Sequence, residues 1–203
     1  MDIHFWNCSE ICIFDDAFSG LSSLVSLRIE QCDITLPPKI QEACKNLKNL
    51  HLQHNNIRFI PNDYFKGCAR IEFLNLEHNE IMHMPNIQDL GGSLLYLFLS
   101  HNAISTLDVK DTMKIDMKID TLSMGYNSLI SMDLKRLLEK CPRIQLVHVN
   151  HNNITEIPNL AQMHIGGEER LIYIAANSNP FRSVRNGSMS LNQMCKTNPP
   201  TLL

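Results

Sequence analysis

A spacing of about two dozen residues governs this chain and constrains its fold more tightly than anything in its composition. The stretch Leu47 to Ile57, LKNLHLQHNNI, reads L-x-x-L-x-L-x-x-N-x-I, with Leu47, Leu50, Leu52, Asn55 and Ile57 in fixed slots. Six more copies keep the same phase, starting at Leu24, Ile71, Leu94, Ile119, Ile144 and Leu171. Taken in order, successive starts differ by 23, 24, 23, 25, 25 and 27 residues. Upstream, Ile3, Phe5, Cys8, Ile13, Phe18 and Leu21 keep the phase of a degraded further copy, with Glu10 in a slot that should be apolar. Self-similarity at this period marks a stack of repeated coils.

Each slot has a physical reason. Leu-x-Leu alternation is the period-two pattern of a strand with one buried face. One coil cannot bury its leucine row alone, but stacked coils can, and nearest-neighbour contacts then supply most of the stability. Pro fixes φ and breaks strand pairing, which suits a chain leaving a sheet. It does so after Pro37-Pro38 and in Ile60-Pro61-Asn62, Met84-Pro85-Asn86 and Ile157-Pro158-Asn159. Ser131 to Cys141 puts Leu134, Leu137, Leu138 and Cys141 on one helical face, which predicts a short α-helix capped by Ser131. Gly91-Gly92 and Gly166-Gly167 predict irregular returns, and the alternating charges of Asp108 to Asp120 predict a solvated face.

These copies resemble the leucine-rich repeat family over nearly the whole chain. The resemblance implies an α/β repeat solenoid: a right-handed, horseshoe-shaped superhelix with a parallel β-sheet on the concave face and short helices, 3-10 turns or irregular segments on the convex face. It implies one domain, 1–203, with a degraded first coil at 1–23, repeats starting at 24, 47, 71, 94, 119, 144 and 171, and an irregular tail at 185–203. In this family the Asn slot holds a buried side chain that bonds backbone groups of the turn and of the neighbouring coil. That column here runs Cys8, Cys32, Asn55, Asn79, Asn102, Asn127, Asn152, Asn179, and Cys is the usual substitute. The endings Phe18-Ser19-Gly20-Leu21 and Ile60-Pro61-Asn62 through Phe65, Gly67 and Cys68 resemble the extracellular repeats of the family. Asn179-Pro180-Phe181 resembles the motif that closes such arrays, although only Cys195 follows where a cysteine-rich cap is usual. The opening MDIHFWNCSEICIF falls inside a repeat and the tail MCKTNPPTLL has no core pattern. The expectation is either a piece of a longer array or a start with a degraded capping coil.

Composition narrows the functional classes. With 44% hydrophobic and 19% charged residues and a formal net charge of −3, the chain reads as an ordinary globular domain without the basic balance of a nucleic-acid binder. No apolar run approaches ~18 residues, and no signal peptide is visible. The sequence has no G-x-x-x-x-G-K-[ST], H-E-x-x-H, G-x-S-x-G or strand-linked G-x-G-x-x-G, so no enzyme, catalytic residue or cofactor is expected. Cys44, Cys68 and Cys141 each stand three residues before a repeat start, in a slot expected to be buried, and are read as reduced packing residues. Cys8 and Cys32 share the Asn slot on adjacent coils, where a disulfide is geometrically allowed but not indicated. The Cys8–Cys12 spacing is a weak zinc signal, and no metal site is assigned.

The fold implied by the resemblance offers a surface, read column by column from the outward residues of each strand. One column runs Ser26, Asn49, Phe73, Tyr96, Thr121, Leu146, Tyr173, and the next Arg28, His51, Asn75, Phe98, Ser123, His148, Ala175. A third runs Glu30, Gln53, Glu77, Ser100, Gly125, Asn150, Asn177. Phe73, Tyr96 and Phe98 are expected together on the middle coils, with Tyr126 near one rim, as anchors for a protein ligand. Strand propensity alone is the competing account of those aromatics. A fourth column, Gln31, His54, His78, His101, Tyr126, His151, Ser178, is rich in histidine. Tolerance of a solvent-facing position explains it, and a metal- or pH-sensing module is the alternative. The ligand-binding candidates are therefore Phe73, Tyr96, Phe98, Tyr126, Arg28, His51, His54, His78, His101, His148 and His151. Three N-x-[ST] patterns, at Asn7, Asn153 and Asn186, would accept glycans in a secreted chain. The resemblance implies a non-catalytic protein-interaction scaffold of extracellular or cell-surface type, with an intracellular adaptor or inhibitor as the alternative. Open ends leave room for a dimer through a terminal coil.

Overall fold

The computed structural model describes residues 1–9, 11–107, 109–113, 116–157, 172–181 and 183–184. Eight of its strands form one parallel sheet in sequence order. They are β1 (Asp2–Trp6), β2 (Ser26–Glu30), β3 (Asn49–His51), β4 (Phe73–Asn75), β5 (Tyr96–Phe98), β6 (Thr121–Ser123), β7 (Leu146–His148) and β9 (Tyr173–Ala175). Each coil contributes one strand. Leu27, Leu50, Leu74, Leu97, Leu122, Val147 and Ile174 stand in register as direct neighbours across the sheet. The fold is an α/β leucine-rich-repeat solenoid with the sheet on its concave side.

The leucine slots make the core. Leu24, Leu47, Ile71, Leu94, Ile119 and Ile144, which open the repeats, are fully buried, as are Leu52, Leu76, Leu99 and Met124. Burial of each such side chain contributes roughly 1.5–3 kcal/mol. The Asn column closes each turn. Asn55, Asn79, Asn102, Asn127, Asn152 and Asn179 each accept from a backbone N–H of the preceding coil and donate to a carbonyl of that coil. Where the slot holds cysteine, the thiol of Cys32 donates to the Glu30 carbonyl at 3.1 Å and that of Cys8 to the Trp6 carbonyl at 3.4 Å.

The convex side departs from expectation in four places. Cys44 and Cys68, read from the sequence as reduced, are joined by a disulfide, with Cα atoms 4.5 Å apart and both residues buried. Their slot lies at the same height on adjacent coils, so two cysteines occupying it are brought within bonding reach. Cys141 fills the same sequence slot, where the preceding coil carries Asp116 instead of a cysteine, and its thiol packs 3.8 Å from the Met113 sulfur. Helix α2 spans Leu134–Lys140, and its cap is Asp133, whose carboxylate accepts from Arg136 N, in place of Ser131. Helix α1 (Val109–Thr112) falls in the stretch read as a solvated face, yet Val109, Met113 and Met117 are buried there. Finally, β8 (Glu156–Ile157) pairs in parallel with β10 (Ser183–Val184), a second small sheet that the repeat pattern did not show.

Two of the repeat endings carry a glycine that the backbone requires. Gly20 has φ +73° and Gly67 has φ +84°, the left-handed region that favours glycine, and both stand in the Phe-x-Gly endings. Glu10, the Pro158-Asn159 pair, Gly166-Gly167, Leu171, Asn186, Cys195 and the tail from 185 lie outside the described residues. No helix among the described residues is long and apolar enough to cross a membrane.

Candidate functional site

Sheet register brings the outward residues into the columns that the sequence predicts. Phe73 pairs with Asn49 on one side and Tyr96 on the other, and Asn75 pairs with Phe98. Phe73 is the centre of a ring cluster: its centroid lies 5.2 Å from Phe98 and 6.1 Å from Tyr96, both tilted. Such offset and tilted geometries suit the aromatic quadrupole. Tyr96 is 39% exposed, and Phe73 and Phe98 are half-buried, so the cluster presents usable apolar surface. His51 completes it, stacking on Phe73 at 4.7 Å. Burial, with Arg28 and His4 nearby, holds the His51 imidazole down to about 4, so at neutral pH it is an uncharged aromatic ring.

A charged group flanks this patch. Glu30 lies 3.7 Å from the Arg28 guanidinium and 3.8 Å from His4 Nε2, and the register sets His4, Arg28 and His51 side by side. Trp6 stands opposite Glu30 on β1 and is 61% exposed. Neither His4 nor Trp6 was among the candidates. The signal was present in the Ile3/Phe5 alternation, which turns His4 and Trp6 outward, but the degraded repeat hid it. His148 is half-buried on β7 between Ser123 and Ala175, and burial lowers its pKa.

The fourth column is more ordered than a tolerant surface position requires. His54, His78, His101, Tyr126 and His151 stack ring on ring, with centroids 4.2, 4.0, 4.2 and 4.1 Å apart and planes within 10–14° of parallel. All five have φ between +52° and +56°. That conformation is uncommon for residues other than glycine and asparagine, and it recurs because each position makes the turn into the ladder asparagine. Tyr126 thus belongs with the histidines. His78, flanked on both faces, has its pKa lowered by burial and then by His101 and His54. Glu77 lies close to His101 and His54, and burial raises its pKa against their opposing influence.

The stack is poorly shaped for a metal. Imidazole lone pairs lie in the ring plane, so rings stacked in parallel about 4 Å apart cannot aim two of them at one ion at the ~2.0–2.1 Å zinc requires. Among the described residues no group of three or more His, Cys, Asp or Glu could hold a metal ion. Both described glycan patterns are accessible, since Asn7 and Asn153 are exposed.

The leucine rich repeat family model matches residues 35–81 and 45–92. Fibromodulin of Oryctolagus cuniculus is 25% identical over 149 residues, covering 73% of this chain and 77% of that protein. Among solved structures, a TLR13–ssRNA13 complex matches with a TM-score of 0.73 at 20% identity, over 95% of this chain and 26% of that one. A leucine-rich repeat protein of Leptospira interrogans matches with a TM-score of 0.66 at 19% identity, over 90% of this chain and 50% of that one. The chain spans about a quarter and a half of those two solved chains. Repeat pattern, asparagine ladder, parallel sheet and these matches agree, and the chain is built of leucine-rich repeats.

Proposed function

We propose that this leucine-rich repeat scaffold is of extracellular or cell-surface type and takes a protein ligand on its concave face around Phe73, Tyr96 and Phe98. The observation that carries the reading is the ring cluster itself. Aromatics that converge on one centre, one exposed and two half-buried, are the usual anchors of a protein interface. The Cys44–Cys68 disulfide supports an oxidising compartment over the intracellular alternative. Accessible Asn7 and Asn153 and the Phe-x-Gly endings point the same way. The reading assigns the chain no catalysis and no cofactor. The single-stranded RNA of the TLR13 complex is not carried over, because this chain has a net charge of −3 and acidic residues Glu30 and Glu77 on the same face.

The test is affinity capture of a partner with the intact chain, followed by purified one-to-one binding against a Phe73→Ala/Tyr96→Ala/Phe98→Ala variant. Hot-spot truncations cost about 2 kcal/mol or more each, so the triple variant should bind at least roughly a hundredfold more weakly. Unchanged affinity in a variant that keeps its far-ultraviolet dichroism would remove the cluster from the site.

A further inference from the structure

The ring stack lies outside the aromatic cluster, and the binding surface proposed above does not use it. Its five rings are exposed, evenly spaced and nearly parallel. Four are histidine, the side chain that changes charge between pH 5 and 8. Adjacent charges at this spacing repel, so a five-ring stack accepts three charges best on its first, third and fifth rings. Those three are His54, His101 and His151. The second is His78, which its neighbours disfavour as a cation, and the fourth is Tyr126, which takes no proton in this range. Alternate rings stand about 8 Å apart.

We infer that this column is a proton-gated docking strip for an acidic, extended segment of a protein partner. The inference rests on the protein-binding reading of the chain but on none of the residues of the aromatic cluster. An extended segment turns every second residue to one face, about 6.8 Å apart. Flexible glutamates at that repeat can reach three cations spaced about 8 Å apart. Nucleic acid is the poorer match, because a duplex strand carries one charge per ~3.4 Å of its axis and the chain's formal net charge of −3 disfavours a long polyanion.

The charged surroundings agree. Beneath the stack the third column contributes uncharged Gln53, Ser100, Gly125 and Asn150, and one carboxylate, Glu77, between His54 and His101. Its raised pKa means that Glu77 loses its negative charge earlier than usual as the pH falls, which sharpens the gain of positive charge. On the outer side Glu80 is engaged by Arg58 at 2.9 Å, leaving Asp33 near the first coils as the other acid. Gln31 and Ser178, which end the column, are uncharged.

The experiment uses the whole chain and a fluorescein-labelled peptide of alternating glutamate and threonine. Anisotropy is read at pH 5.5 and pH 7.5, where the glutamates are ionised throughout. A glutamine–threonine peptide and an oligothymidylate are run beside it. Asparagine is the substitution of choice, because it tolerates positive φ. The wild type should bind the acidic peptide at least tenfold more tightly at pH 5.5, and the His54→Asn/His101→Asn/His151→Asn variant should lose that pH dependence. The His78→Asn variant should keep it within about threefold. Equal affinity at the two pH values, an unaffected triple variant, or preference for the oligothymidylate would overturn the inference. Because Phe73, Tyr96 and Phe98 remain intact throughout, none of these failures bears on the aromatic cluster.

Discussion

Replacing Asn79 with alanine removes a side chain that serves two coils at once. Its Oδ1 accepts from Ile57 N at 3.0 Å, and its Nδ2 donates to the Leu52, Leu76 and Glu77 carbonyls at 2.9, 3.1 and 3.2 Å. Alanine strands the Ile57 N–H, which belongs to the preceding coil and to a fully buried residue, while the Leu52, Leu76 and Glu77 carbonyls keep Asn55 Nδ2, Asn102 Nδ2 and the His54 N–H as donors. A buried polar group left without a partner costs about 1–3 kcal/mol, so Asn79→Ala should cost about 1–3 kcal/mol. The chain supplies its own comparison, since Cys32 occupies this slot two coils earlier and its thiol donates to the carbonyl two residues before it. Asn79→Cys, which keeps a buried hydrogen-bonding side chain in the slot, should therefore cost less than the alanine change. Urea unfolding gives the total, and hydrogen exchange at the Ile57 amide shows whether the loss is local to the seam between these coils, as nearest-neighbour coupling requires. An alanine variant within about 0.5 kcal/mol of wild type, or a cysteine variant no better than alanine, would refute the ladder argument.

Three further outcomes follow from the same geometry. Removing the disulfide by Cys44→Ser/Cys68→Ser should lower stability by about 3–4 kcal/mol through loop closure, seen as a fall in the urea midpoint, and a non-reduced peptide map should show the two cysteines linked. The His51 imidazole is depressed from 6.5 to about 4, so it contributes stability in full above pH 6.5, and that contribution is lost as the pH falls towards 4. The melting temperature of His51→Gln should accordingly fall less over that window than that of the wild type. Gly125→Ala places a Cβ 2.7 Å from Asn150 Oδ1 without backbone strain, whereas Gly67→Ala meets open space at φ +84°. Thermal denaturation should show about 1–2 kcal/mol lost at Gly67, and at Gly125 a smaller loss that Asn150→Ala relieves.

The legible part of this protein was its periodicity. Leu50, Leu74, Leu97, Leu122 and Val147 had to be neighbours once the repeat was recognised, and strict alternation along each strand then fixed which side chains face outward. Phe73, Tyr96 and Phe98 were placed together by that logic alone, and the register bears it out. Convex features were harder because no repeat constrains them. Asp133 displaced Ser131 as cap since the helix begins later than its apolar face suggests, and the apolar residues around α1 are buried amid charges that masked them. The Cys44–Cys68 bond was readable in principle. Both cysteines were placed in the same slot of adjacent coils, yet each was weighed singly as a small hydrophobe. As sequence, the histidine column is a list of tolerant positions; the shared left-handed backbone sets the rings face to face.

A molecule built from neighbour contacts can be peeled from either end, one turn at a time. The bond between Cys44 and Cys68 interrupts that peeling, because it closes a covalent ring that includes β3. β3 carries His51, the ring that lies flat on Phe73. Fraying or a protease cut that reaches this point from the first two coils meets a hoop that neither heat nor tension opens without a reductant. The inner surface is thereby guarded at the margin nearest its aromatic centre, and loss of the leading coils leaves that centre standing.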